Sequence, residues 1–211
     1  MKRRDFSLLG ASALVLPATA MLTLPTALHA AVPGQPAPNF TLTNTEGKPV
    51  SLADFKGKPV VLEWNNPGCP FVRKHYEGNF QALQKEYGAK GVVWLAINST
   101  EEMSSDYMAP AVWSRWMKDK GAAPTAMLMD TEGQVGRAYS ARVTPHMYII
   151  NAQGVLVYAG AIDSIPSARV SDIEKATNYV RQGLDELLAG KPLSVSSNQA
   201  YGCTIKYKSA A

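Results

Sequence analysis

The chain has 211 residues, a formal net charge of +4, 46% hydrophobic and 18% charged residues, and two cysteines. Its charges are scattered, with no basic stripe or run of like sign, which excludes a nucleic-acid partner, and beyond the N-terminal leader no stretch is long enough to span a bilayer. The length suits one domain with a substantial core.

In chain order, the leader comes first. Lys2, Arg3 and Arg4 precede an apolar stretch from Leu8 to Leu24, and Leu28-His29-Ala30 offers small residues for cleavage. Residues 1–30 are therefore expected to be an export signal removed near Ala30, leaving a periplasmic or secreted bacterial protein. Arg3-Arg4-Asp5-Phe6-Ser7-Leu8 resembles the twin-arginine signal, and both the general secretory and the twin-arginine routes stay open. Loss of Lys2, Arg3, Arg4 and Asp5 lowers the formal charge from +4 to +2.

The proline-rich residues 31–38 cannot be helical. Phe40 to Leu42 and Pro49 to Leu52 read as short strands around Thr45-Glu46-Gly47. Val60 to Trp64 reads as a strand and Pro70 to Tyr87 as one helix ending at Gly88, with Val72, Tyr76, Phe80, Leu83 and Tyr87 on its apolar face. Val92 to Asn98 has the continuous apolar character of a central parallel strand, so strand, helix and strand form a crossover unit. A helix follows from Ala109 to Lys120, then a strand from Ala126 to Met129 and a helical turn from Gln134 to Tyr139. Met147–Asn151 and Val155–Ala159 form a hairpin around Ala152-Gln153-Gly154, and a last helix runs from about Ala168 to Leu188. The domain is expected to cover residues 31–192, and residues 193–211, carrying Cys203, form a polar tail without periodicity.

The chemistry centres on Cys69, in a Pro67-Gly68-Cys69-Pro70 turn between strand and helix. Pro70 suits the first helical position, and the unpaired N–H groups there favour thiolate over thiol. Arg73, one turn on, would add to that preference. Two cysteines in an oxidising compartment make Cys69 and Cys203 candidate partners.

The order of elements resembles the thioredoxin fold: α/β, a central mixed sheet flanked by helices, here with an N-terminal hairpin extension and a C-terminal tail. More narrowly, Cys69-Pro70-Phe71-Val72, Val143-Thr144-Pro145-His146, Gly160-Ala161-Ile162-Asp163 and Tyr201-Gly202-Cys203-Thr204-Ile205-Lys206-Tyr207 are similar to motifs of the alkyl hydroperoxide reductase and thiol-specific antioxidant family, in its peroxiredoxin-like branch. The resemblance implies a thiol oxidoreductase with Cys69 as nucleophile and Cys203 as resolving cysteine. It implies a cis Thr144-Pro145 bond beside the thiol and a proton-shuttling carboxylate at Glu63, whose alternative is a strand glutamate that faces a polar pocket or pairs with a lysine such as Lys58. Trp64, Pro70, Phe71, Arg73, Thr144 and His146 would contact substrate, although Trp64 reads equally as core, and His146 and His75 as structural residues. No cofactor is implied.

Two departures qualify the resemblance. Val72 stands where thioredoxins have their second cysteine, and Leu62 and Asn66 replace the proline and hydroxyl residue of peroxidases. The substrate is thus a peroxide or a protein disulfide, and the recycling partner a reductant protein or a small thiol. The Cys69–Cys203 bond would form within one chain or across a homodimer. Copper binding by Cys69, Cys203 and His146, or a permanent structural disulfide in a non-catalytic binding module, are the competing readings.

Overall fold

The computed structural model describes residues 31–209, so the expected export signal lies outside the described residues. Seven strands form one sheet: β1 (Thr41–Asn44), β2 (Pro49–Ser51), β3 (Val60–Trp64), β4 (Val93–Asn98), β5 (Ala126–Met129), β7 (His146–Ile150) and β8 (Leu156–Gly160). Their spatial order is β2-β1-β5-β4-β3-β7-β8. β3, β4 and β5 run parallel, and β1, β2, β7 and β8 add to them antiparallel. A separate two-residue strand, β6 (Val143–Thr144), pairs with β9 (Cys203–Thr204).

Every residue of β3 and β4 is buried, because both faces of the central strands are covered. On one face α1 (Pro70–His75), α2 (Asn79–Ala89), α3 (Pro110–Asp119) and α5 (Tyr179–Leu188) pack over Val61, Trp94, Ala96, Met147 and Ile149. On the other, α4 (Gln134–Ala138) and the N-terminal segment cover Leu62, Trp64, Leu95, Tyr148 and Ile150. Among the described residues no helix is long and apolar enough to cross a membrane.

Two helices differ from the sequence reading. The single helix expected from Pro70 to Tyr87 is broken at Gly78, whose φ of 121° is accessible to glycine and costly for other residues. Gln81 seals the break: its Oε1 accepts from the Gly78 amide at 3.1 Å, and its Nε2 donates to the Tyr76 carbonyl at 2.6 Å. The last helix begins at Tyr179 rather than near Ala168, capped by the Asn178 side chain on the Arg181 amide at 2.9 Å. Ahead of it, Asp172 collects Ser167, Arg169 and Lys175, local bonds that offer this stretch an alternative to helix.

The tail also departs from expectation. Ile205 is buried, its amide donates to the Arg142 carbonyl at 3.0 Å, and the Glu101 amide donates to the Lys206 carbonyl at 2.9 Å. The Tyr207 hydroxyl reaches the Ala141 carbonyl at 2.8 Å, over a Gly136 that any side chain would drive into that ring.

Candidate active site

At the end of β3 the chain is fixed by side-chain amides. Asn66 Oδ1 accepts from the Gly68 amide at 2.8 Å, and its Nδ2 donates to Thr100 Oγ1 at 2.9 Å and to the Asp106 carbonyl at 3.1 Å. The Cys69 amide returns to the Asn66 carbonyl at 3.0 Å. Asn66, which stands where peroxidases have a hydroxyl, thus organises the turn that presents the thiol. Cys69 caps α1, Pro70 follows at its first position and is exposed, and Phe71 is half-buried. Arg73 is exposed and donates from Nε to the Pro67 carbonyl at 2.7 Å, so it braces the turn.

Cys69 is only 3% exposed, and its thiol donates to the Thr144 carbonyl at 3.0 Å. The Thr144-Pro145 bond is cis, and both residues are buried. Thr144 is also the register partner of Cys203 in the β6–β9 pair. Gly202 makes that approach feasible: its φ is 146°, and a Cβ there would lie 2.0 Å from the Thr144 carbonyl oxygen. Both cysteines are free thiols, and burial, followed by hydrogen bonding to Cys69, pushes the Cys203 thiol up to about 12. Between them lies a cavity of about 50 Å³ whose walls include Asn66, Thr100 and Asp106. The tail is seated on the β6 edge through strand pairing as well as aromatic contacts.

Glu63 is fully buried on the face that carries Cys69, and among the described residues no lysine pairs with it. Asn65 Nδ2 (2.6 Å) and the Tyr76 hydroxyl (2.8 Å) donate to its Oε1, and Trp94 Nε1 (2.7 Å) donates to its Oε2. Burial outweighs these donors and holds its pKa above the ordinary carboxylate value. Tyr76, which donates to this carboxyl, belongs to the same apolar cluster as Cys69.

Trp64 and His146 are not where the sequence reading put them. They are register partners on neighbouring strands and both point to the opposite face. Trp64 Nε1 donates to Ser99 Oγ at 2.9 Å, and Ser99 donates to Asp130 at 2.6 Å. His146 stacks on Tyr148 with ring centroids 4.6 Å apart, and burial lowers its pKa to about 4. The copper set of Cys69, Cys203 and His146 is accordingly not assembled.

A second polar cluster went unread in the sequence. Lys74, fully buried on α1, donates to Asp163 Oδ2 at 3.2 Å, and the Tyr201 hydroxyl donates to Asp163 Oδ1. His75 Nε2 lies 3.4 Å from the Tyr201 hydroxyl and 3.6 Å from Asp163, yet burial outweighs the carboxylate and lowers the imidazole to about 4. Phe71 meets the Tyr201 ring edge-on at 5.6 Å. Lys74 and His75, adjacent polar residues in a helix otherwise read as amphipathic, were the available signal, together with Asp163 and Tyr201 in the quoted motifs.

The sequence model of the AhpC/TSA family matches residues 33–159. The thiol-disulfide oxidoreductase ResA of Bacillus subtilis is 32% identical over 125 residues, 59% of this chain and 64% of ResA, so the chain spans less than two thirds of that relative. The thiol:disulfide interchange protein DsbE of Yersinia pestis is 29% identical over 142 residues, 66% of this chain and 69% of DsbE. The crystal structure of a conserved, uncharacterized protein from Geobacillus kaustophilus superposes with a TM-score of 0.73 at 31% identity, covering 85% of this chain and 94% of that one.

Proposed function

The chain belongs to the AhpC/TSA family of thioredoxin-like proteins, and from that premise we propose that it is an exported thiol-disulfide oxidoreductase with Cys69 as nucleophile and Cys203 as resolving cysteine. The observation that carries the reading is the convergence of both cysteines on one residue: the Thr144 carbonyl accepts from the Cys69 thiol, and Thr144 is the register partner of Cys203. The relatives named for thiol-disulfide chemistry support the reaction class, and the residue pattern before Ala31 supports export.

The thiolate of Cys69 attacks one sulfur of a substrate disulfide, forms a mixed disulfide and expels the other sulfur as thiolate. Cys203, deprotonated, then attacks the Cys69 sulfur, forms Cys69–Cys203 and releases the second substrate thiolate. The substrate gains two electrons and the protein loses two, which an external reductant protein or small thiol restores. The raised pKa of Cys203, caused first by burial and then by its hydrogen bond with Cys69, keeps it protonated and unreactive in the resting chain. Glu63, through Tyr76, would take part in moving the proton that leaves the thiols.

Thiol counting and peptide mapping after one equivalent of oxidant tests this. The expected product is an intramolecular Cys69–Cys203 disulfide. Cys69→Ser should abolish disulfide reduction, and Cys203→Ser should leave Cys69 as a mixed disulfide. If Cys69 is never found linked to Cys203, an external thiol resolves Cys69 and the two-cysteine mechanism is wrong.

A further inference from the structure

The β6 edge beside Pro145 is a short strip of backbone against which an extended segment can pair, and in the resting chain the tail's own Cys203–Thr204 occupies it. With the tail in place, Cys69 is 3% exposed and faces a cavity of about 50 Å³. Since one water needs roughly 10–15 Å³ of such space, that cavity takes a few water-sized atoms and no disulfide carried on a polypeptide. A polypeptide substrate and the tail therefore compete for the same strip.

What holds the tail at its near end is Tyr201. Its hydroxyl donates to Asp163, its ring lies edge-on to Phe71, and beneath it the Lys74–Asp163 pair is fully buried. Water can solvate a charge pair once it is uncovered, so a lid seated on such a pair leaves at less cost than one seated on an apolar pocket. The seat thus combines a specific hydrogen bond with reversibility. We propose that Tyr201, held on Asp163 over Lys74, is a latch that keeps residues 201–207 on the β6 edge, and that polypeptide disulfides reach Cys69 only when this latch opens. The proposal rests on the thiol-disulfide reading above and adds to it the residue that decides substrate size.

The test uses the full chain and two variants. Tyr201→Phe keeps the ring and removes the bond to Asp163. Gly202→Ala leaves the buried cluster untouched and drives a methyl group into the Thr144 carbonyl. One arm measures labelling of Cys69 by a bulky polyethylene-glycol maleimide, mapped by mass; the other measures dithiothreitol-driven reduction of insulin. Both variants are expected to label at least tenfold faster than wild type and to reduce insulin faster in proportion. Unchanged labelling in Tyr201→Phe overturns the latch, whatever Gly202→Ala shows, and faster labelling with an unchanged, measurable insulin rate overturns the claim that the latch limits polypeptide substrates. Insulin left unreduced by wild type and variants alike would remove the oxidoreductase reading, while the labelling arm still decides whether Tyr201 holds the tail.

Discussion

Glu63 and Asp163 are both fully buried carboxylates bound to the same helix, Glu63 through Tyr76 at its end and Asp163 through Lys74 within it. Their surroundings differ in one respect. Glu63 is held by neutral donors alone, so burial dominates and its proton is retained to higher pH. Asp163 has a cation in contact at 3.2 Å and serves as the anchor of a tail residue. The same side-chain chemistry thus yields a group suited to proton transfer where no cation is near, and a structural joint where one is.

The largest effect that would break this contrast comes from removing Asp163. Asp163→Ala leaves Lys74 buried without a counter-charge and should cost about 3–5 kcal/mol of stability by urea unfolding, whereas Lys74→Met with Asp163→Leu should recover most of it. A loss below about 1 kcal/mol in the single variant would mean that water already reaches the lysine.

Next in size is the pH dependence. His75 and His146 are held at about 4, below their usual 6.5, so between these values the unfolded chain binds protons that the folded chain does not. Their contribution is fully present above pH 6.5 and is lost as pH falls through about 4, with a slope of up to about 1.4 kcal/mol per pH unit for each histidine. Glu63 acts in the opposite sense, since a raised carboxyl pKa stabilises below its ordinary value of 4.5 and loses that contribution as pH rises through the folded value. Unfolding midpoints from pH 7.5 to 4.5 should show a shallower acid-side slope in His75→Gln than in wild type. Equal slopes would mean that Asp163, 3.6 Å away, already holds His75 charged.

The smallest expected cost in stability is that of Glu63→Gln, about 1 kcal/mol, because the amide fits the same donors with one mismatch. Disulfide reduction should nevertheless slow by about tenfold or more and lose one limb of its pH profile. An unchanged rate and profile would make Glu63 structural, like Asp163.

The Cys69 turn and the central strands were legible because they depend on local signals: a Pro-Gly-Cys-Pro junction, and apolar runs whose ends the structure moves by a residue at most. Orientation within those runs was not legible. Strands buried on both faces have no polar side to show which way Trp64 and His146 point, so contact with substrate and a structural role stayed open for both, and both lie across the sheet as structural residues. The helix break at Gly78 was hidden because Val72, Tyr76, Phe80 and Leu83 keep the apolar period on either side of it. The Lys74–Asp163 pair joins residues 89 positions apart, and β9 is two residues long, so neither leaves a trace in a local window.

The strand that finishes the site, β9, lies further along the chain than the residues it covers. A growing chain carries Cys69 and Thr144-Pro145 well before Cys203 exists to cover them, so each molecule passes through a period in which the sheet can form while the Cys69 thiol stands bare. In that interval any disulfide-bearing neighbour can cap the thiol, and residues 201–207 then serve as the chain's own protecting group. A chain ending shortly before Tyr201 would lose Ile205 from the buried clusters, and Tyr201, Cys203 and Tyr207 from their margins, and would be vulnerable; its failure would be the accumulation of covalent adducts rather than unfolding.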